Sequence, residues 1–248
     1  MPKNSIEVEL RAELRRAIER EAATKEVLQI ISESRDDEQP VFEAILERAC
    51  KLCDAPSAGL LLGTLEDKYV TFAASAGSNK RVDNALRAAN VPMDNDASYS
   101  ARAIIEGKLY HLEDMGESEL YHSGAEFVRN NVDKLGIRSV IFAPLMGQNG
   151  ALGVMALFRE EVRPFDDSQI QLVESFAAQA TIAIENVRQF IETQQALERQ
   201  TVTSNILRAI SQSPTNVQPV IETIVRSAAE LIDCDLAVIH LLEGDHYW

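Results

Sequence analysis

The chain has 248 residues, of which 46% are apolar and 25% charged, a composition typical of a globular protein with one or two domains. Its 39 Asp and Glu residues against 24 Lys and Arg give a formal charge of −15, which would repel nucleic-acid phosphates and anionic lipid headgroups. We therefore expect no nucleic-acid partner and no membrane partner.

The apolar stretches and the cysteine content indicate a cellular compartment. The longest apolar stretches, around residues 140–146 and 176–184, are well short of the roughly 20 residues that cross a bilayer. The first residues lack the apolar region of a secretory signal, and the three cysteines give no disulfide framework. These features predict a cytoplasmic protein.

Residues 1–39 are predicted to form an N-terminal helix, because residues 3–39 contain neither Gly nor Pro and are rich in strong helix formers. Apolar or small residues recur in this segment at steps of three and four, which favours a parallel coiled coil over the alternative of a single solvated helix. The residues expected at its dimer contact are Leu10, Leu14 and Leu28.

Residues 40–166 are predicted to form an α+β domain. Pro40 follows a run of acidic residues, a pattern typical of a helix start, and the first helix is expected over residues 41–53. Two short apolar runs, residues 57–65 and 68–76, are separated by turn residues and are predicted to pair as antiparallel strands.

The middle of this domain is more polar. Residues 79–89 are predicted to be mostly helical, residues 98–106 to form a short helix that stops at Gly107, and residues 109–113 to form a strand. Residues 115–136 are the most polar stretch, and we expect them to cover the sheet as a loop and helix.

Two further strands, residues 138–146 and 152–160, flank Asn149 and Gly150, a dipeptide typical of tight hairpin turns. Both strands are apolar on both alternating faces, which predicts central positions in the sheet. Helices are therefore expected to cover the sheet on both sides.

Residues 167–213 contain neither Gly nor Pro and are predicted to form one long helix that continues as a linker. Two apolar stripes run along it, so that one can cover the sheet while the other meets the parallel helix of a second copy. The residues assigned to the dimer interface are Ile170, Val173, Ala177, Ala180, Ile184, Val187 and Ile191.

An internal repeat follows this helix. Residues 24–69 align without a gap on residues 203–248, with about fifteen identities in about forty-five positions. Residues 214–248 are therefore predicted to be the truncated start of a second copy of the domain.

Several short motifs fall in the order found in GAF domains, and the chain resembles this family over residues 41–190. The motifs are Ala101-Arg102-Ala103-Ile104-Ile105-Glu106-Gly107, Leu135-Gly136-Ile137-Arg138-Ser139-Val140, Ala143-Pro144-Leu145, Leu152-Gly153-Val154, Arg163-Pro164-Phe165 and residues 179–186. The resemblance implies a PAS-like fold: a six-stranded antiparallel sheet with helices on both faces, flanked by long signalling helices. It also implies that the first and last helices share one face and that a ligand pocket lies on the other.

Candidate pocket residues are Tyr99, His111, Phe127, Phe142 and Met155, chosen as large or polar groups on the sheet and its cover. His111 could ligate haem, as a pocket histidine does in some GAF sensors. A covalent bilin is disfavoured because the domain has no cysteine between Asp54 and residue 233. The same absence argues against relatives that reduce methionine sulfoxide, and Cys50 and Cys53 are interpreted as structural thiols.

No catalytic constellation, phosphate-binding loop or metal-binding spacing is recognisable, so we expect no enzymatic activity and require no cofactor. The resemblance implies a sensory module that dimerises through its flanking helices and relays signals to an output domain such as a histidine kinase or a nucleotide cyclase. The alternatives are a structural dimerisation spacer without ligand, a haem sensor and a cyclic-nucleotide sensor.

Overall fold

A computed structural model describes residues 38–88, 90–212, 221–226, 229, 236, 238–239, 242–243 and 246–247. The predicted N-terminal helix, with Leu10, Leu14 and Leu28, lies outside these residues. The chain divides into two compact units, residues 1–188 and residues 189–248, which are described separately below.

The first unit is built on one six-stranded antiparallel sheet with the strand order β3-β2-β1-β6-β5-β4. This confirms the predicted α+β sheet. The strands are β1 (Ser57–Leu62), β2 (Tyr69–Gly77), β3 (Asn90–Pro92), β4 (Tyr110–Leu112), β5 (Ser139–Gly147) and β6 (Gly150–Arg159).

Helices lie on both faces of the sheet. The helices are α1 (Gln39–Leu52), α2 (Lys80–Arg87), α3 (Tyr99–Glu106), α4 (Glu119–Ser123), α5 (Glu126–Arg129) and α6 (Asp167–Gln212), with a 3-10 turn (Met115–Glu117) and a π-helix (Asn130–Lys134). On one face α1 and α6 enclose the first core; on the other, α2, α3 and the segment 115–136 enclose the second. The segment 115–136, here named the cover segment, therefore lies where the sequence predicts a cover.

The central strands separate these two cores by simple alternation. Along β5, Val140 and Phe142 belong to the core under the cover segment, while Ile141 and Ala143 belong to the core under α1 and α6. Because successive side chains of a strand point to opposite faces, each of these strands contributes to both cores and needs apolar residues throughout.

Two local features differ from the sequence predictions. Strand β3, at the sheet edge, is not foreseen because its three residues carry no periodic signal. In the β5–β6 hairpin, Gly147 pairs with Gly150, so the turn residues are Gln148 and Asn149. Of the pair expected at the turn only Gly150 has a positive φ, 130°, whereas a type I′ turn on that pair requires positive φ at both residues.

Helix α6 uses its main apolar stripe within the chain. Val173, Ala177, Ala180 and Val187 are buried in the core under α1 and α6 or beside it, while Ile170 and Ile184 pack partly against that core. The assignment of Val173, Ala177, Ala180 and Val187 to a dimer interface is corrected, because their own domain already buries them. For the partly buried Ile170 and Ile184, and for Ile191, it stays a prediction. The large apolar side chain that stays exposed on this part of the helix is Ile182, at 44%.

In the second unit, α6 continues to Gln212, and its residues 191–197, including Ile191, are exposed. Residues 221–226 are helical, and β7 (Leu242–Glu243) pairs with β8 (His246–Tyr247). The second domain copy stays a prediction. Within the described residues, no helix combines the length and apolarity required to span a bilayer.

Candidate functional site

A cavity of about 260 Å³ opens between the sheet and the elements that cover it, on the face opposite α1 and α6. Its walls are mostly apolar, and its polar groups are concentrated in the cover segment and at the start of α3. The lining residues are Leu61, Val82, Ala85, Leu86, Ala88, Val91, Ser98, Tyr99, Ser100, Met115, Phe127, Asn130, Asn131, Lys134, Leu135, Ile137, Phe142 and Phe158.

Three aromatic rings form the floor of the cavity. The ring of Phe142 stacks on that of Tyr99, with centroids 6.3 Å apart, and meets Phe158 edge to face at the same distance. The Tyr99 hydroxyl accepts a hydrogen bond from the backbone N–H of Leu120, at 3.4 Å, in the cover segment. The floor is thus tied directly to the cover.

The cover segment is anchored at its start by an ion pair. Arg138, on the chain leading into β5, donates two hydrogen bonds to Asp114, one of them at 2.7 Å. These bonds hold the pKa of Asp114 below its usual range. The backbone N–H of Met115 also donates to the carbonyl of Arg138, at 2.6 Å, so the cover begins from a fixed position on the sheet.

The end of the cover segment is a π-helix that forms the mouth of the cavity. The backbone N–H of Leu135 donates to the carbonyl of Asn130, five residues earlier, at 3.3 Å. Arg81, on α2 across the mouth, donates a side-chain hydrogen bond to the carbonyl of Lys134. Short π-helical segments occur frequently at functional sites.

Comparison with known proteins agrees with this architecture. The sequence model of the GAF domain matches residues 36–185, which is more than half of the chain. The chain belongs to the GAF domain family. No curated protein sequence matches it.

Solved structures share the fold of this GAF domain at low sequence identity. A methyl-accepting chemotaxis protein fragment (residues 122 to 287) gives a TM-score of 0.54 at 18% identity, covering 65% of this chain and 96% of that one. The GAF domain of an Acinetobacter phosphoenolpyruvate-protein phosphotransferase gives 0.54 at 12% identity, covering 68% and 94%. Free methionine-R-sulfoxide reductase from Neisseria meningitidis, in complex with its substrate, gives 0.54 at 15% identity, covering 71% and 93%.

Within the GAF domain, the structure brings three of the five candidate pocket residues to the cavity and leaves two away from it. Tyr99, Phe127 and Phe142 line the cavity. Met155 is fully buried in the opposite core, because it pairs with Ala143 on the α6 side of the sheet. The assignment of Met155 to the pocket is therefore corrected, because the alternation of side chains along β6 places it on the opposite face of the sheet.

His111 also faces away from the cavity. It pairs with Ile141, and its ring meets that of Phe165 edge to face, with centroids 5.9 Å apart, on the side of α1 and α6. Its Nε2 accepts a hydrogen bond from the backbone N–H of Phe165, at 3.1 Å. The histidine is therefore a structural acceptor that holds the segment before α6, and it is not placed to ligate a haem in the cavity.

This environment predicts a pH-dependent stability. Burial lowers the pKa of His111 below its usual value near 6.5, against a smaller opposing effect of Glu113. A depressed pKa in a basic group means that the unfolded chain binds the proton more readily, so stability falls as the pH drops below about 6.5. We expect urea unfolding to show a shallower loss of stability between about pH 7.5 and pH 5.5 in His111→Gln than in the wild type.

His122 provides the control for that measurement, because its side chain is 62% exposed and its 3.8 Å contact with the Glu117 carboxylate lies on the surface, where an ion pair contributes little to stability. His122→Gln is expected to keep the wild-type pH dependence. Equal slopes for His111→Gln and the wild type would contradict the assignment.

Cys50, in α1, and Cys53, directly after α1, are positioned as structural thiols. Cys53 is fully buried in the core under α1 and α6, and Cys50 is partly buried. Burial, with smaller contributions from Cys53 and Glu47, raises the pKa of Cys50 to about 12. A thiol with so high a pKa has almost no reactive thiolate at neutral pH, and neither cysteine lines the cavity.

Several lining residues were not identified from the sequence. Phe158 lies on the same face of β6 as Val154 and Ala156, because side chains of a strand alternate between the two faces. Ala85 lies on α2, three residues after the buried Val82. A strict alternation count from Phe142 through the hairpin would have found Phe158. No pattern marks Asn130 and Asn131, because a π-helix has no recognisable sequence period.

Proposed function

We propose that this chain is a non-catalytic sensory module whose GAF domain binds a small molecule in the cavity under the cover segment. The observation that carries the proposal is the cavity itself, which has an apolar interior and a few polar groups at its mouth. Such concave, mostly apolar pockets with few polar groups are the usual form of a small-molecule site.

A sheet one layer thick separates the cavity from α6, and this provides the route for a signal. In β5 and β6, Phe142 and Phe158 contact the cavity, while Ile141 and Leu157 pack on the α6 side. Glu185 of α6 also accepts a hydrogen bond from the backbone N–H of Gln148 in the hairpin, at 3.2 Å. A ligand that favours one packing of the floor would therefore bias the seating of α6, which is the two-state element.

Dimerisation through the flanking helices is part of the same proposal. Since Val173 and Ala177 are buried within the domain, the contact with a second copy is reassigned to the outward face of α6, where Ala178 and Ile182 are exposed. The relayed signal would reach an output domain, such as a histidine kinase or a nucleotide cyclase, through this helix.

Two of the structural relatives are consistent with the proposal. One is a fragment of a chemotaxis protein, and another is an enzyme in complex with its substrate. The shared fold thus occurs both in a signalling protein and with a small molecule bound. Among the residues that the structure describes, neither a cysteine nor a histidine lines the cavity, which supports binding in place of thiol chemistry.

The proposed function is tested by filling the cavity with a larger side chain. Ala85 lies on α2 and lines the cavity, so Ala85→Trp would occupy much of its volume. In a thermal-shift screen of small metabolites, the wild type is expected to show at least one ligand that raises the melting temperature, and Ala85→Trp to lose that response. A ligand present at about 100 times its Kd stabilises by about 2.7 kcal/mol, which is readily measured.

The matched control is Asn84→Trp, on the same helix but exposed and outside the cavity lining. It is expected to keep the wild-type response. If no metabolite shifts the wild type and native mass spectrometry of the fresh protein shows no retained molecule, the alternative of a structural spacer is favoured.

A further inference from the structure

We propose that the cavity binds a small organic anion with one aromatic ring, whose carboxylate is held at the mouth by Lys134 and the amides of Asn130 and Asn131. The inference rests on the proposed function, because it names the class of ligand that the same cavity would sense. Three features carry it: the size of the cavity, its aromatic floor, and the hydrogen-bond donors at its mouth.

The size and the floor define the apolar part of the ligand. A cavity of about 260 Å³ is slightly smaller than the roughly 300–1,000 Å³ that accommodates drug-sized ligands. Its floor presents the rings of Tyr99, Phe142 and Phe158, whose centroids are 6.3 Å apart in each neighbouring pair. A further flat ring can pack on them in offset or edge-to-face geometry, so one aromatic ring is the body that fits best.

The donors at the mouth define the polar part. Within the described ranges 38–88 and 90–212, the side-chain amides of Asn130 and Asn131 make no hydrogen bond, although both residues are half-buried and line the cavity. Over the same ranges the ammonium of Lys134 forms no ion pair. An ammonium flanked by amide N–H donors is suited to a carboxylate, because hydrogen bonds to a charged acceptor are about twice as strong as neutral ones.

The neighbouring carboxylates have hydrogen-bond or ion-pair partners of their own. Asp133, the adjacent carboxylate in sequence, accepts a hydrogen bond from the Tyr121 hydroxyl at 3.0 Å. On α2, Asp83 pairs with Arg87 at 3.1 Å, while Arg81 places a second cation beside Lys134. Although the whole chain is acidic, charges more than about 8 Å away are largely screened at physiological salt, so the local cations dominate for a small ligand.

The three polar residues that line the mouth belong to one turn of the π-helix. Asn130, Asn131 and Lys134 all lie on its single widened turn, whose hydrogen bond spans five residues. We expect a carboxylate that bridges these side chains to stabilise this turn.

The experiment compares phenylacetate with its neutral analogue phenylacetamide by isothermal titration calorimetry on the full chain. The wild type is expected to bind phenylacetate at least about 10-fold more tightly, which corresponds to about 1.4 kcal/mol. Lys134→Gln is expected to abolish this preference and Lys134→Arg to retain it. Lys68→Gln, on the exposed β1–β2 turn, is the matched charge control and is expected to behave as the wild type.

The outcomes separate this inference from the proposed function. Equal affinity for acid and amide in the wild type, or a preference that survives Lys134→Gln, would overturn the anion site while leaving a small-molecule cavity in place. Failure of both probes to bind at about 10 mM would likewise overturn the ligand class, since useful recognition requires a Kd below that range. Binding that Ala85→Trp leaves unchanged would place the probe outside the cavity.

Discussion

Replacing Arg159 by Met is expected to lower the free energy of unfolding by about 3–5 kcal/mol, because several acceptors would lose their hydrogen-bond donors at about 1–3 kcal/mol each if buried. Arg159 closes β6, is 1% exposed, and is the largest fully buried side chain among the described residues. Its guanidinium lies 3.7 Å from the ring centroid of Phe165, which adds a cation–π contact.

The acceptors around Arg159 explain the size of the effect. Its N–H groups donate to the backbone carbonyls of residues 53, 54, 163 and 164, and to the side-chain oxygen of Gln169. All of these acceptors are neutral, and burial lowers the pKa of the guanidinium. Met would fill much of the space but leave the carbonyls without donors, each at a cost of about 1–3 kcal/mol if buried.

Urea unfolding followed by circular dichroism measures this change, with two comparison variants. Arg159→Lys keeps the charge but loses the planar guanidinium with its several N–H donors, so its free energy of unfolding should lie between those of Arg159→Met and the wild type. Arg163→Met is the matched control, because Arg163 is 41% exposed and its ion pair with Asp54 contributes at most about 1 kcal/mol. Comparable losses for the Arg159 and Arg163 variants would contradict the central role of Arg159.

Replacing Val173 by Asp is expected to unfold the domain or to destabilise it by more than about 3 kcal/mol, because a carboxyl group would be buried without a partner. Val173 is 0% exposed on α6 and belongs to the core beneath that helix. The sequence pattern alone assigned this residue to a dimer interface, where the same change would leave each monomer folded.

The control for Val173→Asp is Ile182→Asp on the outward face of α6, where Ile182 is 44% exposed. This change is expected to alter monomer stability by no more than about 0.5 kcal/mol. Sedimentation velocity and thermal melts on both variants separate the two roles, since under the proposed dimer contact Ile182→Asp weakens only self-association. A fully folded Val173→Asp monomer would restore the original assignment.

The sequence alone determined the elements with strong local signals. Helix α3 (Tyr99–Glu106) is capped by Ser98 before it and by Gly107 after it, whose φ of 62° is accessible to glycine, so its limits could be predicted within a residue. The doubly apolar runs of β5 and β6 likewise required coverage on both faces, and both cores exist. Ordered family motifs then sufficed to predict the sheet and the pocket face.

Only the tertiary structure decided which face each side chain occupies. A strand that is apolar on both sides carries no parity signal, so Met155 and Phe142 look equivalent until the pairing of β5 with β6 places them in different cores. The two stripes of α6 are equally ambiguous, because an apolar stripe is the same whether a sheet or a second helix covers it. The local sequence pattern indicates how much apolar surface must be buried. Which strand, helix or second copy buries it is decided by contacts between residues that are distant in the sequence.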